Sequence, residues 1–283
     1  MSDQSADARI SFQGEPGANS HIAAREAFPG FDPLPCASFE DAFAAVSEGQ
    51  ARYAMIPVEN SVAGRVADVH HLIPESGLYI VGEHFVPIRH QLLGLPGARL
   101  DALTHVRSHP QALGQCRKAL REMGVAAVKT ADTAGAAREV AELGDPRVAA
   151  LASSLAGEIY GLQVLRADIA DAAHNTTRFL VFARAPQNAP LGSAPCMTSF
   201  VFRVRNVPAA LYKALGGFAT NGVNMTKLES YIEGGAFSAA MFFAEIEGHP
   251  EQDSVRLALE ELQFFSSSLH VLGVYPADPY RKL

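Results

Sequence analysis

Residues 185–195 contain Pro186, Pro190 and Pro195 together with Gly192 and Ser193, and their one large apolar side chain is Leu191. Such a stretch can continue neither a helix nor a central strand, so it divides the chain of 283 residues into two parts that must bury separate cores. We assign residues 1–184 to one domain, 185–197 to a linker and 198–283 to a second domain. Beyond the linker the apolar pattern predicts strand 199–204, helix 208–219, strand 225–232, a turn at Gly234-Gly235, strand 237–246, helix 253–264 and strand 269–275. That order is βαββαβ, a ferredoxin-like arrangement.

Before the linker a different unit recurs: a short apolar strand, a polar turn, then a helix. Residues 9–13 run into Gly14-Glu15-Pro16-Gly17-Ala18-Asn19-Ser20-His21, and Ile22, Ala23, Ala24, Ala27 and Phe28 follow at helical spacing. Gly14 and Gly17 permit positive φ, and Asn19 or Ser20 is expected to cap a helix whose positive end favours an anion. Ser38-Phe39-Glu40-Asp41 has capping-box spacing. Strand 53–56 leads into Pro57-Val58-Glu59-Asn60-Ser61, and Val62, Val66, Val69 and Leu72 then lie on one helical face. Strands 78–86 and 91–95 flank Pro87-Ile88-Arg89-His90, a crossing between two halves of an α/β unit. Ser108-His109-Pro110-Gln111 predicts a second capping box, Asp132 or Thr133 caps a further helix, and Ser153 and Ser154 open another. Recurrent strand, turn and helix units form an α/β fold that binds ligands at its polar turns.

At Asn175-Thr176-Thr177-Arg178-Phe179 a polar loop becomes the apolar strand 179–183. An amide, two hydroxyls and a guanidinium meet at the mouth of that strand, which makes it the candidate catalytic corner. In a fully extended segment Asn175, Thr177 and Phe179 share one face and Arg178 points the other way. Thr177 and Arg178 reach one ligand together only where the chain is irregular.

Composition removes several classes of function. The formal net charge of −7 without a Lys/Arg cluster excludes a nucleic-acid or anionic-membrane surface, and no apolar run approaches the roughly 18 residues of a membrane span. Cys36, Cys116 and Cys196 are an odd number at wide spacing and are expected as reduced thiols. The histidines lack a ligand set with metal spacing, so no metal site is expected. The first seven residues have neither a basic nor an apolar signal region, so a cytoplasmic location is expected.

Taken in order, the three motifs beginning at Gly14, Pro57 and Asn175, with Ser108-His109-Pro110-Gln111-Ala112-Leu113 between the last two, resemble those of prephenate dehydratases. The second part resembles an ACT domain through Pro208-Ala209-Ala210-Leu211 and through 222–230. The resemblance implies a two-lobed catalytic domain of the type II periplasmic-binding-protein kind, with the active site between its lobes, followed by a regulatory domain. It implies decarboxylative dehydration of prephenate to phenylpyruvate without a cofactor; the alternatives are arogenate dehydration or a non-catalytic sensor of small anions or amino acids.

By the same resemblance Thr177 is the proton donor and Asn175 and Arg178 are catalytic, with Arg178 binding a carboxylate or bracing the cleft. Gly17, Ala18, Asn19, Ser20, Glu59, Asn60, Ser61, Thr176 and Phe179 become substrate-binding candidates. Ala209, Ala210, Leu211, Asn224, Met225, Thr226, Leu228, Glu229 and Ser230 become candidates for binding L-phenylalanine as effector in a homodimer or homotetramer. Three departures from the family pattern are Glu15 for Pro, Ala18-Asn19 for Thr-Phe, and Tyr231 for Arg.

Overall fold

A computed structural model describes residues 8–172, 174–193, 195–205, 207–232 and 239–281. The chain divides into two compact units, one of residues up to 69 together with 84–179, the other of 70–83 together with 180 onward.

In the first unit β1 (Arg9–Gln13), α1 (Asn19–Ala27), β2 (Asp32–Cys36), α2 (Phe39–Ser47) and β3 (Tyr53–Asn60) alternate as expected. Ser38 and Asp41 form the capping box of α2, each side chain bonding the other's backbone N–H. α1 instead begins at Asn19 with Ala18 at its N-cap and no side-chain cap. β2 escaped the periodicity reading because Pro33 and Pro35 interrupt it. It pairs only with β1, as an edge strand, where proline is tolerated.

The helix expected after Ser61 is broken. Gly64 at φ +81 turns the chain back as β4 (Gly64–Arg65), which pairs with the end of β3; α3 (Ala67–His70) and α4 (Leu72–Glu75) follow as short pieces. Val62 and Val66 thus lie outside any helix, Val69 in α3 and Leu72 in α4, so the four never form one helical stripe.

β5 (Tyr79–Pro87) leads through 88–90 to a second lobe built from β6 (Gln91–Gly94), β7 (His105–Ser108), α5 (Pro110–Gln115), α6 (Arg117–Glu122), β8 (Ala126–Lys129), α7 (Thr133–Leu143), β9 (Val148–Ala152), α8 (Ser154–Tyr160) and β10 (Gln163–Arg166). β11 (Thr176–Ala183) returns to the first sheet. The two sheets repeat one topology. The first is ordered β2-β1-β3-β11-β5 and the second, read in the same sense, β8-β7-β9-β6-β10. In each, three strands pair in parallel around a central one, β1 in the first sheet and β7 in the second, and the fourth neighbour is the strand arriving through a crossover. That is the type II periplasmic-binding-protein order. β5 and β11 both run across the division between the two units.

The crossovers are stitched to each other. Ile88 N donates to Asn175 O at 2.7 Å and Ile169 N to His90 O at 3.0 Å, while Asp168, held at φ +49, accepts from Arg89 and Gln91. Asp132 and Ser153 cap α7 and α8 as expected. Ser108 does not cap α5. It is buried on β7 with its hydroxyl on Leu151 O, and His109 Nδ1 accepts from Gln111 N in its place.

The second unit contains β12 (Cys196–Val204), α9 (Ala210–Thr220), β13 (Met225–Ile232), β14 (Ala239–Glu247), α10 (Asp253–Phe265) and β15 (Ser266–Pro276). The strand order β13-β14-β12-β15, antiparallel at every recorded pairing, is ferredoxin-like. Phe200, Phe202, Phe242, Ala258 and Leu262 pack between the sheet and α9 and α10. The expected turn at Gly234-Gly235 lies outside the described residues. Cys196 and Met197, read as the end of the linker, are already buried in β12.

Candidate active site

A cavity of about 360 Å³ lies between the lobes of the first unit. Its wall is assembled from the ends of strands and the starts of helices: Gln13 and Gly14 at the end of β1, Ala18 to Ser20 at α1, Phe39 at α2, Pro57 and Asn60 on β3, Asp132 and Thr133 at α7, and Thr177 and Phe179 on β11. The positive ends of three helices of nine or more residues therefore face one space, which suits an anion. None of the lining residues is Lys or Arg.

A directed hydrogen-bond network crosses this wall. The backbone N–H groups of Val62 and Ala63 donate to Asn60 Oδ1 at 3.0 and 2.9 Å, which fixes the orientation of the amide. Asn60 Nδ2 then donates to Asn175 Oδ1 at 2.7 Å and to Thr177 Oγ1 at 2.9 Å. With Oδ1 used, Asn175 donates through Nδ2 to Gln115 Oε1 at 3.0 Å. His90 Nε2 lies 2.7 Å from the same Gln115 oxygen. Because Thr177 Oγ1 accepts from Asn60, its own hydrogen remains for an acceptor in the cavity.

The sequence-selected residues separate by position. Asn60, Thr177, Phe179, Ala18, Asn19 and Ser20 line the cavity, and Asn175 sits behind it in the network. Arg178 does not reach it. β11 is already regular at Thr176, so alternation turns Arg178 away to pair with Glu59 at 3.1 Å, with its side chain only 5% exposed. Of the two roles read for Arg178, bracing fits this geometry.

Ser61 is consumed by the backbone, accepting from Thr176 N at 2.9 Å and donating to His174 O at 2.9 Å. Gly17 is used as a contact between lobes. Its N–H donates to His21 Nδ1 at 3.0 Å, its carbonyl accepts from Ser153 at 2.6 Å, and a Cβ there would lie 2.6 Å from Ala156 Cα.

His90, Gln115, Asp68 and Asp132 are cavity residues that the sequence reading did not select as site residues. One signal was present for Gln115: Gln111 and Gln115 are four apart on a helix whose core-facing residues are Leu113 and Cys116. Burial lowers the pKa of His90 and keeps it neutral, against a smaller opposing effect of its Gln115 bond. His21, stacked on Phe12 at 5.2 Å, is lowered by burial and then by Arg25. Burial, aided by Asp171, pushes the Cys116 thiol to about 12, which leaves it inert at neutral pH. Among the described residues no group of three or more His, Cys, Asp or Glu side chains is placed to hold a metal ion, and no helix is long and apolar enough to cross a membrane.

The effector candidates all fall in the second unit. A cavity of about 340 Å³ there is lined by Gly222, Val223, Asn224, Glu247 and Gln252 among others. Asn224 donates to Glu247 at 2.9 Å, and Glu229 pairs with Lys227 at 3.2 Å. Ala209 caps α9 at φ +62, a conformation natural to glycine. Tyr231 stacks on His70 at 4.2 Å and donates to its carbonyl at 2.9 Å.

Residues 10–187 match the family described as prephenate dehydratase. A bifunctional N-acyl-homoserine lactone acylase/prephenate dehydratase of Komagataeibacter europaeus is 51% identical over 96% of this chain and 97% of its own length. The chloroplastic arogenate dehydratase/prephenate dehydratase 1 of Arabidopsis thaliana is 39% identical over 96% of this chain and 73% of its own. The crystal structure of prephenate dehydratase from Arthrobacter aurescens in complex with L-Phe superposes with a TM-score of 0.87 at 29% identity, covering 95% of this chain and 90% of that one.

Proposed function

The chain belongs to the prephenate dehydratase family, and from that premise we propose that it converts prephenate to phenylpyruvate, CO2 and water in the cleft of its first unit. The observation that carries this reading is the Asn60–Thr177 bond, which leaves the threonine hydrogen as a donor to the cavity. In the reaction the ring carboxylate leaves as CO2, its bonding electrons enter the ring, and the C4 hydroxyl departs with one proton as water. Aromatisation drives the step, so it needs no cofactor. Thr177 is a weak acid, and its part is a hydrogen bond to the departing hydroxyl that strengthens as charge develops there. The remaining carboxylate is met by amides, hydroxyls and helix N-termini, since no Lys or Arg lines the wall. Arg178 and Glu59 brace β11 against β3.

The same reading makes residues 198–283 an ACT-type domain that senses L-phenylalanine in a cytoplasmic homodimer or homotetramer. Its supports are the ferredoxin-like topology and the L-Phe complex of the Arthrobacter aurescens relative. A second activity is suggested by the relative from Komagataeibacter europaeus, whose name joins an N-acyl-homoserine lactone acylase to the dehydratase across nearly the whole of both chains.

One assay series tests these readings. Purified protein is given prephenate, arogenate or an N-acyl-homoserine lactone, with chelator and with titrated phenylalanine. Phenylpyruvate from prephenate supports the proposal. Phenylalanine from arogenate alone moves the substrate to the amino analogue. Saturable binding without any product favours a sensor.

A further inference from the structure

We propose that His90 is a positioning residue which, with Asn175, locks the Gln115 amide so that its two N–H hydrogens face the cleft and bind a carboxylate oxygen of the substrate. This rests on the dehydratase reading given above. His90 lies in the first crossover, is 4% exposed, and belongs to the cavity wall with Gln115.

Hydrogen-bond direction fixes this arrangement. Each amide in the network has one orientation, starting from the two backbone donors on Asn60 Oδ1. That direction makes Asn175 Nδ2 the donor and Gln115 Oε1 the acceptor. An amide oxygen has no hydrogen, so His90 Nε2, at 2.7 Å, must carry one. The imidazole is therefore the Nε2–H tautomer. The opposite tautomer would present a lone pair to Gln115 and demand a flipped amide, whose NH2 would then collide with the Asn175 donor.

Two donors on Oε1 thus prevent the flip, and Gln115 Nε2 has no protein partner among the described residues. In a wall without Lys or Arg, an NH2 group with fixed direction is a strong element for holding a carboxylate. The crossover supports this precision, since His90 O accepts from Ile169 N and Gln115 O from Asp171 N at 3.0 and 2.7 Å.

Imidazole 15N spectra of the full chain are expected to show His90 with hydrogen on Nε2 and a bare Nδ1. A bare Nε2 overturns the proposal whether or not the protein turns over substrate. In kinetics, His90→Leu is expected to raise KM about tenfold with a smaller change in kcat, the value of one hydrogen bond. His90→Gln, which returns an N–H donor, restores most of the loss, and stands in for the leucine variant should that fail to fold. In a Gln115→Leu background His90→Leu should add less than about a twofold effect. Full additivity of the two substitutions would show that His90 does not act through Gln115. Absence of product from the unmodified protein would instead sink the dehydratase reading and leave the tautomer measurement standing.

Discussion

Asn60 Nδ2 stands 2.9 Å from Thr177 Oγ1 across two neighbouring strands, and it donates. This sets what the threonine can do, because a hydroxyl that accepts from a neutral amide keeps its hydrogen for the ligand. Asn60→Asp reverses that polarity with almost no change of shape. A carboxylate oxygen would capture the Thr177 hydrogen, so kcat with prephenate is expected to fall by about 10²-fold or more, in the range of a lost catalytic donor. Thr177→Ala should fall comparably, and the double variant should be no worse than the poorer single. Turnover by Asn60→Asp within a factor of about three of the unmodified rate would remove Thr177 from the donor role.

The legible part of this site follows from local rules. Strand alternation at Asn175, Thr177 and Phe179 separates the cavity face from Arg178, and the pairing of Arg178 with Glu59 agrees with that geometry. Both lobes were readable as repeated strand, turn and helix units. What stayed hidden depends on long-range register. His90 and Gln115 are 25 residues apart and become partners only because the crossover meets the end of α5. β2 was obscured by its prolines, and the segment after Ser61 read as helix because Val62, Val66 and Val69 keep helical spacing through a turn that Gly64 imposes.

Gly17 carries two constraints together. Its φ of +93 is strained for any residue with a Cβ, and such a carbon would lie 2.6 Å from the Ala156 backbone in the opposite lobe. Gly17→Ala is expected to cost at least ~1–2 kcal/mol from backbone strain alone, with more from the steric clash, measured by urea unfolding. Because the displaced contact joins the lobes, the KM for substrate should rise as well. An unchanged unfolding midpoint would mean that the lobes do not touch at Gly17 in solution.

In the second unit Arg281 closes on Glu83 with two bonds of 2.6 and 2.8 Å, and the Glu83 side chain is fully buried. Asp278 N donates to the same carboxylate at 3.0 Å, and Glu245 lies 3.8 Å from the guanidinium. Removing the guanidinium takes two charge-assisted hydrogen bonds from a buried carboxylate, and breaking a buried pair in this way costs roughly 3–5 kcal/mol. Arg281→Met should therefore lower the thermal midpoint markedly. The combined Glu83→Gln and Arg281→Met substitution should recover much of the loss, because the buried charge at position 83 is then gone together with the cation that faced it. Equal loss in the single and double variants would assign the effect to packing of the arginine stem.

Acid should weaken the fold before the carboxylates titrate. His90 and His21 are both held below the ordinary imidazole value of 6.5, each mainly by burial. For a base with a lowered folded pKa the unfolded chain binds more protons below 6.5. Stability is thus fully present above that value and declines as pH falls toward the folded values. Urea midpoints measured from about pH 7.5 to about pH 5 should decrease, in a window that lies above the usual carboxylate range near 4. His90→Gln removes one of the two groups and should flatten the profile, while its midpoint at about pH 7.5 changes less than its slope. A profile as steep as that of the unmodified protein would show that His90 takes up its proton equally in the folded and unfolded chains, contrary to its burial beside Gln115.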